Sequence, residues 1–282
     1  MNKILIDTQD GYKQPLTLFQ PAKEVKYICL LLPALGLGAK YYSKFAASLA
    51  EHNVAIAVFE QRGHGDSSLR PSRNENYGLK EPLDNDIPAA VQWLKEQYNV
   101  EQIYLLGHSL GGHLSICYSA LHPVHIKGLG LIACGTPWRE CFDTFKRTQL
   151  SFLGLVITLM GKLLGYYRGS LTGFGSNESY QLMCDWRTMV DHNEYRFRGV
   201  DYQAIEAGIA KYSGSVLSLS YQLDKFATEK SVVAVLEKLV SAKISRYNLS
   251  CDDVGITSDH FKWARHPEVS AQLIIDWLTG QH

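Results

Sequence analysis

Apolar and polar residues fall in alternating blocks along most of this chain. Tyr27–Leu32 and Val54–Phe59 are short, continuous apolar runs bounded by polar segments, the pattern of strands buried on both faces. Between such runs the spacing turns helical. Tyr42, Phe45 and Leu49 share one side of 41–52, and Asp84, Ile87, Val91, Leu94 and Tyr98 mark successive turns of 83–98. The same reading predicts further strands at 3–7, 16–19, 102–106, 128–133, 216–221 and 244–248. It predicts further helices at 109–121, 231–239 and 267–279. Strand–helix alternation of this kind predicts the α/β class, with a mostly parallel central sheet covered by helices on both faces.

From 137 to 211 the alternation stops. The stretch is helical in pattern and rich in Leu, Tyr and Phe, with breaks at Gly161, Gly165, Gly173 and Gly175. It reads as a helical insertion (137–211) over a core made of 1–136 and 212–282. Its most apolar part, 150–160, is too short to span a bilayer, which takes about 20 residues. Phe152, Leu153, Leu155, Val156, Ile157, Leu159 and Met160 make a helix apolar nearly all round, so it is either buried or covers an apolar pocket. Contact of this segment with a membrane surface is the lesser alternative.

Composition narrows the function classes. At 282 residues and 46% hydrophobic, the chain suits one large domain with a substantial core. Lys plus Arg and Asp plus Glu both number 28, which argues against a nucleic-acid partner. The start, MNKILIDTQDGYKQ, lacks the apolar run and cleavage site of a signal peptide. The cysteines form no CxxC pair or disulfide spacing, so buried thiols in a reducing cytoplasm are expected. Glycines at 36–40 and 128–133 resemble phosphate- and dinucleotide-binding motifs by letter, but their spacing or setting fails, and no cofactor is expected.

The sharpest chemical signal is Gly107-His108-Ser109-Leu110-Gly111-Gly112, placed between a buried strand and a helix. A G-x-S-x-G turn in that setting lifts a serine out of the sheet and leaves the following N–H at a helix N-terminus, free to donate to an anion. Ser109 is the candidate nucleophile and the Leu110 N–H a candidate oxyanion donor. A capping serine in a glycine-rich bend is the plainer alternative.

These residues carry a wider resemblance. Leu31-Leu32-Pro33-Ala34-Leu35-Gly36 stands where a strand leads into an oxyanion loop, with Pro33-Ala34 in place of the usual His-Gly. Arg62-Gly63-His64-Gly65-Asp66-Ser67 matches an R-G-x-G-x-S loop, and Ser258-Asp259-His260-Phe261 resembles a histidine-bearing segment. Together with the nucleophile elbow, they make the chain similar to α/β-hydrolase fold proteins of the serine esterase/lipase type, over nearly its whole length.

The resemblance implies a base after the last strand, an acid after the strand before it, and a second oxyanion donor after Tyr27–Leu32. His260 is the favoured base and His266 its reserve. His108 diverges from its neighbour Ser109 at a sharp turn. His113 reads as a packed helix histidine and His64 as a neighbour of the site. His122 and His125 read as a surface loop, and no metal is expected. Asp224 is the favoured acid, against Asp143, Asp252, Asp253 and Asp259. Leu35 N–H is the second oxyanion candidate, with Ala34 beside it. The insertion falls where this family often places a cap, and a minority of its apolar residues should line an acyl pocket. Tyr166, Tyr167, Phe174 and Tyr180 belong to the same apolar set.

The expected activity is therefore that of a serine hydrolase, without cofactor, acting on a carboxylic ester of an uncharged, rather apolar small molecule. Acyl transfer, thioester or small-peptide cleavage by the same residues stays open, as does a non-catalytic binder on this scaffold. Dehalogenase and epoxide-hydrolase chemistry is disfavoured, since those reactions use a carboxylate where Ser109 stands.

Overall fold

In the computed structural model, residues 1–254 and 259–280 are described. β1 (Asn2–Asp7) and β2 (Lys13–Phe19) form an antiparallel pair. Next in the chain are β3 (Tyr27–Leu32), α1 (Ser43–Ala50), β4 (Val54–Phe59), α2 (Ile87–Tyr98), β5 (Ile103–His108), α3 (Leu110–Leu121) and β6 (Ile126–Ile132). After β6 come α4 (Thr144–Leu164), β7 (Tyr166–Arg168), β8 (Asn177–Ser179), α5 (Tyr180–His192) and α6 (Tyr202–Lys211). The chain closes with β9 (Ser215–Tyr221), α7 (Glu229–Leu236), β10 (Lys243–Leu249), α8 (Cys251–Val254) and α9 (Glu268–Thr279).

The main sheet runs β1-β2-β4-β3-β5-β6-β9-β10. β2 meets β4 antiparallel, and every later neighbour is parallel. This is the α/β architecture that the alternating pattern predicts. β3 and β4 are buried on both faces, so their side chains feed two cores. Leu30, Leu32 and Leu105 pack on one side with residues of α2 and α3, while Cys29, Leu31 and Leu106 pack on the other with α1 and α9. Parallel pairing brings the carboxyl ends of β3, β5, β6, β9 and β10 to one edge, where loops can converge.

Local differences from the sequence pattern have simple causes. β5 extends through Gly107 and His108, because Gly107 still pairs in the ladder opposite Leu32 and Leu131 before the turn begins. A π turn at Pro82–Asp86 precedes α2. The β7–β8 ribbon has no readable apolar alternation; its strands are very short and its connection is set by glycines.

Within 137–211, α6 lies along α3, while α4 packs on α5 and β7. Gly161 lets α4 approach α5, since a Cβ there would sit 2.0 Å from the Tyr180 ring. No described helix is long and apolar enough to cross a membrane.

Candidate active site

The turn after β5 explains its own sequence. Ser109 has φ 52° and ψ −115°, a conformation that an L-residue adopts at a cost of about 1–3 kcal/mol. Its N–H donates to Ile132 O at 3.0 Å, tying the turn to β6. A Cβ on Gly107 would lie 2.5 Å from Gly111 backbone, and one on Gly111 would lie 2.0 Å from Leu32 O. Gly112 is equally restricted, with Cys134 Sγ at 2.6 Å from the position of a Cβ. The glycines therefore let strand β5, helix α3 and the end of β3 close on one another around the serine. Leu110 begins α3, where helical geometry offers its N–H no acceptor within the helix.

Asp224 follows β9 in a tight turn, its N–H bonded to Tyr221 O. Its Oδ1 accepts from the Phe226 and Ala227 N–H groups, both at 2.8 Å. Its Oδ2 lies 2.7 Å from His260 Nδ1, and both side chains are buried. His260 follows β10 and is walled by aromatic rings. Phe226 and Phe261 have ring centroids 5.2 and 4.8 Å from its own. Ser258 of the Ser-Asp-His-Phe segment lies outside the described residues.

The loop after β3 is held at several points. Pro33 O accepts from Gln61 Nε2 at 2.7 Å, and the Ala34 N–H donates to Tyr42 Oη at 2.9 Å. Gly36 has φ +80°, and a Cβ there would stand 2.9 Å from Gly175 C of the β7–β8 connection. Ala34, Leu35, Ser109, Leu110 and His260 all border one cavity of about 630 Å³. Its remaining walls come chiefly from α4 (Leu150, Phe152, Leu153, Val156, Met160), with Phe174, Trp186, Phe226 and Phe261.

The rival residues are engaged elsewhere. His113 bonds Tyr195 Oη and Gly135 O through its two nitrogens, and burial pulls its pKa down to about 4. His64 is buried against Glu178 at 3.2 Å. His122 and His125 stack on one another near the end of α3, and the described residues hold no cluster able to ligate a metal. His266 is exposed and does not border the cavity. Asp143 caps α4, Asp253 bonds Ser250, and Asp259 accepts from the Phe261 and Lys262 N–H groups. Asp252 is exposed.

Three features escape sequence reasoning. Trp186 and Phe226 border the cavity although nothing local marks them. His108, dismissed as a base, is wholly buried with Nδ1 2.8 Å from Tyr42 Oη.

Comparison with known proteins agrees with this geometry at the level of fold. The family model described as "alpha/beta hydrolase fold" matches residues 28–156. Protein phosphatase methylesterase 1 of Candida albicans is 29% identical over 117 residues, covering 41% of this chain and 31% of that protein. Monoglyceride lipase of Rattus norvegicus is 24% identical over 124 residues, covering 44% and 40%. The chain spans less than half the length of the curated relatives it matches. Among solved structures, Est1E from Butyrivibrio proteoclasticus with ferulic acid bound superposes with TM-score 0.65 at 19% identity, covering 99% of this chain and 98% of that one. A thermophilic esterase from Thermogutta terrifontis gives TM-score 0.60 at 16% identity over 100% of both chains. At such identities the superpositions speak for the fold, and function has to be argued from the site.

Proposed function

We propose that the chain, which matches the α/β-hydrolase fold model over residues 28–156, is a serine hydrolase that cleaves a carboxylic ester of an uncharged, apolar small molecule. The observation that carries this reading is the buried 2.7 Å contact between Asp224 Oδ2 and His260 Nδ1, on the rim of the cavity that Ser109 also borders.

A serine hydroxyl is a weak nucleophile at neutral pH and needs a base at its proton. With Nδ1 held by Asp224, His260 offers Nε2 to the Ser109 hydroxyl. Ser109 Oγ attacks the ester carbonyl as Nε2 takes its proton, and the resulting imidazolium is stabilised by the Asp224 carboxylate. The Leu35 and Leu110 N–H groups receive the oxyanion. Each such donor is worth about 3 kcal/mol. Collapse expels the alcohol, which takes the proton from Nε2, and leaves an acyl-serine. Water then attacks with the same base and releases the acid. The residues complete both half-reactions by themselves, so no metal or organic cofactor is called for.

The cavity walls support this substrate class. Leu150, Leu153, Val156 and Met160 present hydrocarbon to whatever occupies the site. The 137–211 segment acts as a cap whose inner side is this wall. Its outer side supports meeting the substrate at a lipid surface. Phe145, Phe152, Leu155, Leu159 and Leu163 are exposed, and at about 100° per residue they fall within an arc of roughly 80°. Phe152 also borders the cavity, and α4 contains Lys146, Arg147 and Lys162 but no carboxylate.

A fluorophosphonate probe tests the chemistry. The wild type should be labelled and Ser109→Ala should not; a wild type left unlabelled favours a binding protein. A panel of p-nitrophenyl esters, with and without an added alcohol acceptor, then separates hydrolysis from acyl transfer. Activity confined to charged or peptide substrates would overturn the apolar-ester reading. Co-sedimentation with anionic vesicles, lost in Leu159→Asp, tests the outer stripe.

A further inference from the structure

One buried polar chain is left unused by the chemistry above. His108 stands in β5 beside the nucleophile, with no exposure to solvent, as does Tyr42. A buried neutral imidazole has one N–H and one lone pair to satisfy, and a buried phenol has one proton to place. Tyr42 Oη accepts the Ala34 N–H at 2.9 Å and lies 2.8 Å from His108 Nδ1. Having accepted from Ala34, the Tyr42 hydroxyl has Nδ1 within reach for its own proton. The imidazole proton then sits on Nε2, the nitrogen away from Tyr42. The opposite tautomer would crowd a second N–H onto Tyr42 Oη and strand the phenolic proton.

Trp263 Nε1 stands 3.5 Å from His108 Nε2. That separation is at the limit of a hydrogen bond, and two N–H groups cannot bond each other. The rings meet edge to face, with centroids 5.2 Å apart and planes at 87°, so this contact is packing. Burial, with the charge of His260 adding to it, holds His108 well below the ordinary histidine pKa. It therefore stays neutral and keeps both hydrogen-bonding roles through the physiological range.

We propose that His108 and Tyr42 are positioning residues that hold the oxyanion loop and the His260 loop in register on either side of Ser109. This inference rests on the serine-hydrolase reading. Pro33 has no N–H and that of Ala34 is spent on Tyr42, which leaves oxyanion donation to the next residue, Leu35. The hydroxyl of Tyr42 thus sets the plane of the peptide before that donor. At its other end His108 packs against the loop that supplies the proposed base, its ring centroid 5.0 Å from that of His260 and 5.2 Å from that of Trp263. Neither His108 nor Tyr42 borders the cavity among the described residues, so both act through other groups.

The test uses Tyr42→Phe, His108→Leu, their double variant and His108→Asn. The readouts are kcat and KM on p-nitrophenyl butyrate and the rate of fluorophosphonate labelling. A misaimed donor should lower kcat and labelling about tenfold or more in Tyr42→Phe and in His108→Leu, with KM within about twofold. The double variant should lose no more than either single one, because both break the same chain. His108→Asn places an amide oxygen near the position of Nδ1 and should recover most of the loss. Folded variants with unchanged kcat, strictly additive losses, or a loss carried by KM would each overturn the proposal. If Tyr42→Phe fails to fold, equal activity of His108→Asn and His108→Leu overturns it alone. A wild type that is neither labelled nor active refutes the hydrolase reading and the positioning role with it. An active wild type with indifferent variants refutes the positioning role only.

Discussion

Replacing Asp224 by Asn tests the candidate site with the least disturbance of shape. The two Asp224 oxygens are not equivalent. Oδ1 accepts from two backbone N–H groups, of Phe226 and Ala227, and Oδ2 faces His260 Nδ1. An asparagine at 224 must keep its carbonyl oxygen towards the two backbone donors, since the reverse orientation would oppose its NH2 to both. The NH2 then falls where Oδ2 was and donates to His260 Nδ1. That forces the proton of a neutral imidazole onto Nε2, the nitrogen proposed to receive the Ser109 proton. The variant therefore loses its base through the wrong tautomer, and it also loses the charge that stabilises the imidazolium. Where a serine-histidine pair is disabled in this way the loss is about 10⁴-fold in kcat, or roughly 5.5 kcal/mol. Asp224 is not among the residues bordering the cavity, so KM should stay within about twofold. Steady-state kinetics on a p-nitrophenyl ester, beside a thermal melt to confirm folding, measures both. Asp143→Asn and Asp259→Asn serve as controls expected to retain activity, because those carboxylates are committed to backbone N–H groups elsewhere. A folded Asp224→Asn that keeps more than about a tenth of kcat would refute the tautomer argument.

Gly111→Ala should destabilise the fold by about 1–3 kcal/mol, towards the upper end, because the new Cβ would stand 2.0 Å from Leu32 O and backbone cannot rotate aside; a denaturation midpoint near that of the wild type would contradict the packing argument. The His64–Glu178 pair predicts a pH dependence of stability. Burial opposes the charge on His64, but the hydrogen bond and charge of Glu178 outweigh it and raise the pKa. A raised folded pKa means stabilisation present in full below the ordinary histidine value and lost as pH rises through the folded value. The unfolding free energy should therefore decline across that window, and the decline should shrink in Glu178→Gln; an unchanged slope in that variant would assign the dependence to other groups.

How far the sequence could be read depends on what each residue answers to. Tyr27–Leu32 and Val54–Phe59 coincide with the observed strands, because burial on both faces leaves an unbroken apolar run with sharp edges. Ser109 is marked by glycines whose purpose is local, so the motif alone is enough to place it in the strand–helix turn where the structure has it. Asp224 and His260 are reached through strand order, and here parallel pairing of β9 with β10 supplies what spacing alone cannot. His108 is different. A histidine beside a candidate nucleophile looks like chemistry or like nothing, and only burial with Tyr42 and Ala34 around it shows a third possibility. Trp186 and Phe226 are also silent, since an aromatic residue in a helix or loop reads the same whether it fills a core or lines a cavity.

The position of His260, the proposed base, raises a physical problem that the aromatic residues around it resolve. β10 is an edge strand, its residues alternately exposed, and a loop beyond it would normally face water. A solvated imidazole–carboxylate pair gains little from its contact, yet His260 and Asp224 are buried. The cover comes from Phe226 and Phe261, which flank the imidazole, and from Trp263, which packs beneath on Phe45 and Tyr221. Trp263 is buried while Phe261 remains partly exposed, so the pair forms a layer from core to surface. Excluding water from one side strengthens the Asp224–His260 interaction and limits the orientations of the ring. The placement of the aromatic residues in the sequence at 226, 261 and 263 thus answers to the edge position of β10: a histidine delivered by a central strand would be covered by its neighbours, and the proposed base here has to bring its own cover.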